Sequence, residues 1–296
     1  MQKIDVVYIL GRGSCWNDNE LRYSLRSISK YFPAAGRVFL IGEKPEWVQG
    51  VIHIPAPDKF DNKVLNARVK YTIAAEDPRV SKDFVLMNDD IFFLKTVNDI
   101  PNYSRGKMAE MIERHPTHNG YYYHTLKDTY RRLDAMGIPD AIDFEVHCPI
   151  IFNKEKLLSV MGMIGTAKPY SIRSAYGNLM RLEPKHTRDF KAANMMEFAL
   201  QHMNPFSGFL SINDAVVADE GFRDWMHTRY HRISKYEIDE RGLGILPGRP
   251  IYARRYSARK SFVYGKNKYQ PGDIITSPDI ETIKNTPKLA DCWMWR

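Results

Sequence analysis

The stretch Phe84-Val85-Leu86-Met87-Asn88-Asp89-Asp90-Ile91-Phe92-Phe93 decides how the chain reads: it is an apolar run broken by three polar residues. Two adjacent carboxylates do not stay ionised in a dry core, so a buried strand has to emerge at Asn88, Asp89 and Asp90. Hard oxygen ligands at a strand end suit Mg2+ or Mn2+, ions that commonly neutralise the phosphate oxygens of a nucleotide. An acidic turn between two strands uses the same residues without a metal. The surrounding pattern separates these two readings.

Toward the N-terminus, Ile4-Asp5-Val6-Val7-Tyr8-Ile9-Leu10 is a short apolar run ending in Gly11-Arg12-Gly13-Ser14, a buried strand followed by a loop. Small residues allow close backbone approach to a ligand, and Arg12 is a candidate for a phosphate; a plain turn is the alternative. Asn17 as N-cap with Glu20 three residues on predicts a helix whose apolar face is Leu21, Leu25, Ile28 and Phe32. Arg22 and Arg26 sit four apart on a neighbouring face, available to an anionic ligand or to solvent. Residues 37–42 and 51–54 give two more strands, and Asp61 or Asn62 caps a helix that leads into the Phe84 strand. Strands alternating with helices predict a parallel-rich α/β sheet, in which ligands gather at the carboxyl ends of strands. Asn88 to Asp90 lie at such an end, which favours the metal reading.

Toward the C-terminus, residues 104–140 are polar and aromatic and read as a lid-like insertion, with His115, His118 and His124 at no recognisable metal spacing. Asp143-Phe144-Glu145-Val146-His147-Cys148-Pro149-Ile150 places His147 in or beside a strand. Helical patterns follow, one of them containing Arg173. Gly208-Phe209-Leu210-Ser211-Ile212-Asn213-Asp214 then repeats the theme of an apolar strand ending in Asn-Asp. No internal repeat or low-complexity segment is visible.

The 296 residues are 44% hydrophobic, enough for a substantial core, and no run of about 18 apolar residues suggests a membrane span. With no signal-peptide pattern at the N-terminus, a cytoplasmic protein is expected. Cys15, Cys148 and Cys292 match neither a disulfide framework nor a zinc motif and read as free thiols. The net charge of +8 is concentrated: Arg254, Arg255, Arg259, Lys260, Lys266 and Lys268 lie between Ile251 and Tyr269 with no acid, interleaved with aromatics. That pattern suits a nucleic acid or another polyanion, or else a solvated face.

The blocks Asp5-Val6-Val7-Tyr8, Asp18 to Ile28, Pro45-Glu46-Trp47 and Asn88 to Phe93 resemble the opening motifs of the Stealth family, which includes capsular polysaccharide phosphotransferases. His147-Cys148-Pro149 with Arg173, and Ile212-Asn213-Asp214 with Ser234-Lys235-Tyr236-Glu237, are similar to its later blocks. All occur in order across roughly residues 5 to 237. The resemblance implies a GT-A-like, Rossmann-type mixed sheet flanked by helices, with a catalytic domain over 1–250 and a basic extension over 251–296. It implies a metal-dependent transferase that moves a sugar or sugar-1-phosphate from a nucleotide sugar to a glycan hydroxyl. By position, Asp89 and Asp90 would hold Mg2+ or Mn2+, and Asp90, His147, Arg173 and Asp214 would be catalytic. Tyr8, Gly11, Arg12, Arg22, Arg26, Asn88 and Asn213 would line the nucleotide site. A glycosyltransferase that modifies nucleic-acid bases, as in phage DNA, would use the same parts with the basic segment as its contact. A catalytically inactive binding module is the third possibility.

Overall fold

In the computed structural model of the protein, the described residues are 2–115, 119–166, 168–204 and 207–238, with the backbone of five short strands between 256 and 295. The chain divides into two units, one formed by Met1–Gly11 and Tyr23–Ile238, the other by Arg12–Arg22 and Asp239–Arg296.

The chain opens with β1 (Ile4–Leu10), α1 (Asn19–Tyr31), which belongs to the first unit from Tyr23 on, β2 (Ala35–Gly42), β3 (Ile52–Pro55), α2 (Lys63–Glu76), β4 (Asp83–Met87) and β5 (Ile91–Phe93). Two-residue strands β6 (Tyr103–Ser104) and β7 (Gly106–Lys107) precede α3 (Met108–Glu113) and α4 (Tyr121–Ala135). Then come β8 (Ile142–Asp143), β9 (Ile150–Asn153), α5 (Lys154–Ile164), α6 (Ile172–Leu179), β10 (Lys185–His186), β11 (Lys191–Ala192), α7 (Met195–Met203), β12 (Phe209–Ile212), α8 (Asp214–Val217) and α9 (Glu220–Arg229).

The central sheet has the order β3-β2-β1-β4-β9, with the first four strands parallel and β9 antiparallel to β4. Val6, Val7 and Tyr8 of β1 and Phe84 to Met87 of β4 are fully buried, as expected for strands covered on both faces. The predicted mixed α/β class is therefore the observed one. The strand that the sequence suggested across the Asn-Asp-Asp break is in fact two strands in different sheets. β4 belongs to the central sheet, and β5 joins a second sheet of order β11-β12-β5. The break is the point at which the chain changes sheets.

Helix α1 begins two residues after its expected cap, because Asn17 and Asp18 adopt positive φ angles of 53° and 57°. Its apolar stripe is as predicted, with Leu21, Leu25, Ile28 and Phe32 all buried. The buried serines of the same helix serve a different purpose. Ser24 Oγ donates to the Ile91 carbonyl at 2.6 Å, and the Phe93 amide donates to Ser27 Oγ at 3.0 Å. β5 pairs with β12 on one side only, so these hydroxyls satisfy the backbone groups of its other edge. Asn62 caps α2 as expected, accepting from the Val64 and Leu65 amides.

The segment read as a lid-like insertion contributes to the main core instead. Met108, Leu126 and Leu133 are buried in one cluster with Phe84, Leu86 and Phe152. The seven-residue spacing of Leu126 and Leu133 on α4 gives one inward-facing stripe, which the polar and tyrosine-rich composition of the region obscured. In the second unit the strands Tyr256–Ala258, Ile274–Ile275 and Trp293–Trp295 form an antiparallel sheet, and Phe262–Tyr264 pairs with Asn267–Tyr269.

Arg26, expected at the nucleotide site, is buried in an internal ion pair. Its Nε and Nη2 donate to the Glu237 carboxylate at 2.9 and 2.6 Å, and Nη1 donates to the Tyr230 carbonyl at 2.9 Å. Glu237 also accepts from the Ser234 amide and hydroxyl. Burial alone would raise the Glu237 carboxyl, but the Arg26 and Ser234 hydrogen bonds and the Arg26 charge outweigh it and hold the group below its usual value. The Glu237→Gln variant leaves the guanidinium buried without its counter-charge and should lose about 3–5 kcal/mol in urea unfolding. A group with a depressed folded pKa stabilises fully above its unfolded value of about 4.3 and loses that contribution as pH falls through the folded one. Stability measured from pH 7 downward should therefore fall less steeply in Glu237→Gln than in the wild type.

Candidate active site

The order of the central sheet fixes where a ligand crevice can form. The chain steps from β1 outward to β2 and β3, then crosses back through α2 to place β4 on the other side of β1. The carboxyl ends of β1 and β4 therefore flank a topological switch point, the usual ligand position in open α/β sheets. Tyr8 stands opposite Met87 in the register, so Leu10 and Gly11 leave the sheet beside Asn88, Asp89 and Asp90.

Asp90 is the best-defined group there. Its Oδ2 accepts from Lys191 Nζ and from Ser211 Oγ, each at 3.0 Å. The other oxygen, Oδ1, is buried without a hydrogen-bond partner, as is Oδ1 of Asn88. The pairing of β12 with β5 sets Ser211 opposite Ile91, and the Ile212 amide donates to the Asp90 carbonyl at 3.3 Å. β5, which leaves the Asn-Asp-Asp break, and β12, which ends in Asn213-Asp214, are thus neighbours. Lys191, on β11 parallel to β12, and Ser211 were absent from the sequence reading. A serine fully buried within Phe209-Leu210-Ser211-Ile212 was the available signal.

His147 sits on a tight turn, where the Cys148 amide donates to the Val146 carbonyl at 2.8 Å. Arg173, which is buried, clamps both sides of this turn, Nη1 donating to the Val146 and Cys148 carbonyls at 2.9 and 2.6 Å. The ring Nδ1 lies 2.8 Å from Asp189 Oδ2, and the His147 amide donates to Asp189 Oδ1 at 2.9 Å. Burial would raise the Asp189 carboxyl, but the hydrogen bonds and charge of His147, helped by the Arg105 guanidinium, outweigh it and hold it at about 2. The Lys191 amide points to Asp189 Oδ1 at 3.4 Å. A continuous path therefore runs from His147 through Asp189 and Lys191 to Asp90. Next to it, burial pushes the Glu145 carboxyl up despite the nearby Arg173.

The remaining expected residues take other positions. Tyr8 is fully buried with its hydroxyl 2.8 Å from Ser24 Oγ, and burial, with smaller contributions that include the Asp89 charge, raises it well above the usual phenol range. Gly11 leaves room for Asp58: a Cβ there would stand 2.9 Å from the Asp58 carboxylate, which is itself held by the buried Lys70 at 2.6 Å. Arg12 and Arg22 belong to the second unit, where Arg12 is exposed and the Arg22 amide donates to the Asp18 carbonyl. Asn213 caps α8 by accepting from the Val216 amide, and it donates to the Ala193 carbonyl at 3.1 Å. Asp214 is exposed in the first turn of that helix. His118 and the side chains of the basic segment from Ile251 to Tyr269 lie outside the described residues.

Among the described residues, no group of three or more His, Cys, Asp or Glu side chains is gathered to hold an ion. A smaller donor set fits. The two partnerless oxygens of Asn88 and Asp90 are hard ligands on alternate residues of one strand end. Mg2+ is commonly held by one or two carboxylates with water and substrate phosphates completing the shell. Lys191 engages only Oδ2 of Asp90 and leaves Oδ1 to such an ion. No helix among the described residues is long and apolar enough to cross a membrane.

No protein-family model matches the chain. It is 30% identical over 97 residues to a capsular polysaccharide phosphotransferase of Neisseria meningitidis serogroup B, covering 29% of this chain and 26% of that protein. It is 27% identical over 104 residues to an exopolysaccharide phosphotransferase of Mycobacterium leprae, covering 32% and 19%, and 30% identical over 87 residues to a capsular polysaccharide phosphotransferase of Actinobacillus pleuropneumoniae, covering 26% and 24%. The chain thus spans about a quarter or less of the length of these curated relatives. Among solved structures it is similar to the galactosyltransferase LgtC in complex with donor and acceptor sugar analogues, at 8% identity and a TM-score of 0.43, covering 81% of this chain and 99% of that one. An active-site mutant of the same enzyme gives a TM-score of 0.44. In sequence, the chain resembles the capsular polysaccharide phosphotransferases of the Stealth family.

Proposed function

We propose that this protein transfers a sugar-1-phosphate from a nucleotide sugar to a hydroxyl of a glycan, with a divalent cation at Asn88 and Asp90. The observation that carries this reading is the pair of buried, partnerless oxygens at the switch point, within one hydrogen-bonded path of a half-exposed histidine. Relatives named as polysaccharide phosphotransferases support the reaction class.

The chemistry divides among the residues as follows. Bound Mg2+ or Mn2+ would neutralise charge on the donor's phosphates. Asn88 and Asp90 would hold it through their Oδ1 atoms, while Lys191 and Ser211 keep the Asp90 carboxylate in one orientation. Lys191 adds positive charge beside the reacting phosphoryl group. His147 accepts the proton of the acceptor hydroxyl, whose oxygen attacks the phosphorus that carries the sugar. The bond from that phosphorus to the bridging oxygen breaks, and a nucleoside monophosphate leaves. In phosphoryl transfer the protein mainly positions groups and neutralises charge, so this small set meets the main needs of the reaction. Arg173, which the family resemblance placed among the catalytic residues, contributes by bracing the His147 turn. Gly11 and the Asp58 loop line the nucleotide side of the crevice.

Incubation with a panel of nucleotide sugars, Mn2+ and glycan acceptors should release a nucleoside monophosphate. Release of a diphosphate would replace this reading with glycosyl transfer at the anomeric carbon, and absence of any nucleotide product would sink the transferase assignment. The Asp90→Asn variant should fold normally and lose at least about 100-fold in turnover, the scale of removing one preorganised electrostatic group. Lys191→Met should lower kcat and leave the Glu237-dependent stability untouched, since Lys191 donates to Asp90 and Asp189 and the Glu237 carboxylate accepts from Arg26 and Ser234.

A further inference from the structure

We propose that Asp189 is a positioning residue that locks His147 in the Nδ1–H tautomer, so that Nε2 presents its lone pair to the acceptor hydroxyl. This rests on the reading of His147 as the base and extends it to a residue outside the motif blocks.

A carboxylate accepts hydrogen bonds and donates none, so the Nδ1 atom 2.8 Å from Asp189 Oδ2 must carry the proton. Asp189 is ionised over the whole working range, since its carboxyl is held at about 2. In neutral imidazole a proton on Nδ1 leaves Nε2 unprotonated. That nitrogen has no protein partner among the described residues, and the side chain is 37% exposed, so it is open to a substrate.

The geometry around Asp189 calls for a carboxylate. Two donors from one residue meet its two oxygens: the His147 amide on Oδ1 and the ring on Oδ2. The Arg105 guanidinium also approaches Oδ2 at 3.5 Å, and Asp143 holds it in turn at 2.7 Å. The Gln201 amide donates to the Asp189 carbonyl at 2.9 Å and fixes the backbone. The ring can neither rotate away nor exchange its proton without breaking this arrangement. Asparagine has one acceptor oxygen and cannot serve both donors. If the His147 amide keeps that oxygen, the ring faces an NH2 group, which selects the opposite tautomer.

The test is imidazole 15N NMR, using long-range 15N–1H correlations at a pH where the ring is neutral, with His147→Gln identifying the resonance. In the wild type the expected pattern is a protonated Nδ1 and an unprotonated Nε2 as the dominant form. In Asp189→Asn the majority form should invert to Nε2–H, and in Asp189→Glu, which retains two acceptor oxygens, Nδ1–H should return. A wild type with Nε2–H, or an Asp189→Asn protein with an unchanged pattern, would overturn the proposal. Should Asp189→Asn fail to fold, the wild-type and Asp189→Glu spectra still decide it, since loss of Nδ1–H in either contradicts it. No substrate is needed, so a negative transferase assay leaves this result intact, and a wrong tautomer leaves the nucleotide-product assay to judge the function separately.

Discussion

The carboxylate of Asp90 is divided between two tasks, and much of the first unit can be read as the means of keeping it so. One oxygen is held by Lys191 and Ser211, while the other is buried with no partner from the protein. An unsatisfied buried oxygen of this kind costs on the order of 1–3 kcal/mol, more when charged. A fold keeps such a group where a ligand supplies the missing interaction. Asn88, two residues earlier, repeats the pattern, so the strain is local to one strand end.

Holding Asp90 in this state requires the central sheet and the smaller β11-β12-β5 sheet to meet at the Asn-Asp-Asp break. β4 delivers the chain to the switch point, and β5 carries it away into the second sheet. β12 then brings Ser211 beside Asp90, and β11 brings Lys191. The open edge of β5 is satisfied by Ser24 and Ser27 from α1 and by the Tyr230 hydroxyl on the Phe93 carbonyl. Arg26, on the same helix, is tied to Glu237 and the Tyr230 carbonyl. The helix block and the Ser-Lys-Tyr-Glu block are therefore scaffolding for the strand that leaves the site, which explains why Ser24, Arg26, Ser27, Ser234 and Glu237 are buried.

The parts of this arrangement visible in the sequence were those written in local periodicity. The apolar runs of β1, β2 and β4, the stripe of α1 and the Asn62 cap all follow from residue spacing, and so does the position of Asn88 to Asp90 at a strand end. The repetition of apolar strand and Asn-Asp at residues 209–214 marked β12, which pairs with the strand that leaves the Asn-Asp-Asp break. What the sequence hid was long-range pairing. Arg26 looked like an anion ligand because its partner lies 211 residues away. Lys191 and Asp189 occupy a short polar segment with no pattern of its own, and only the β11-β12 pairing gives them meaning. Arg173 was expected among the catalytic residues, and its neighbours show it gripping the carbonyls on either side of His147. The tyrosine-rich segment suggested a lid because its few core residues are diluted by polar ones.

The central claim is that the two partnerless oxygens belong to a cation site that is completed by the nucleotide. Anomalous diffraction at the manganese edge tests it most directly, using crystals grown with Mn2+ and a nucleoside diphosphate. The account predicts one strong peak within coordination distance of both Asn88 Oδ1 and Asp90 Oδ1, bridged to the phosphates and lost in Asp90→Asn crystals. A nucleotide bound at the switch point without such a peak, or manganese bound elsewhere, would contradict it.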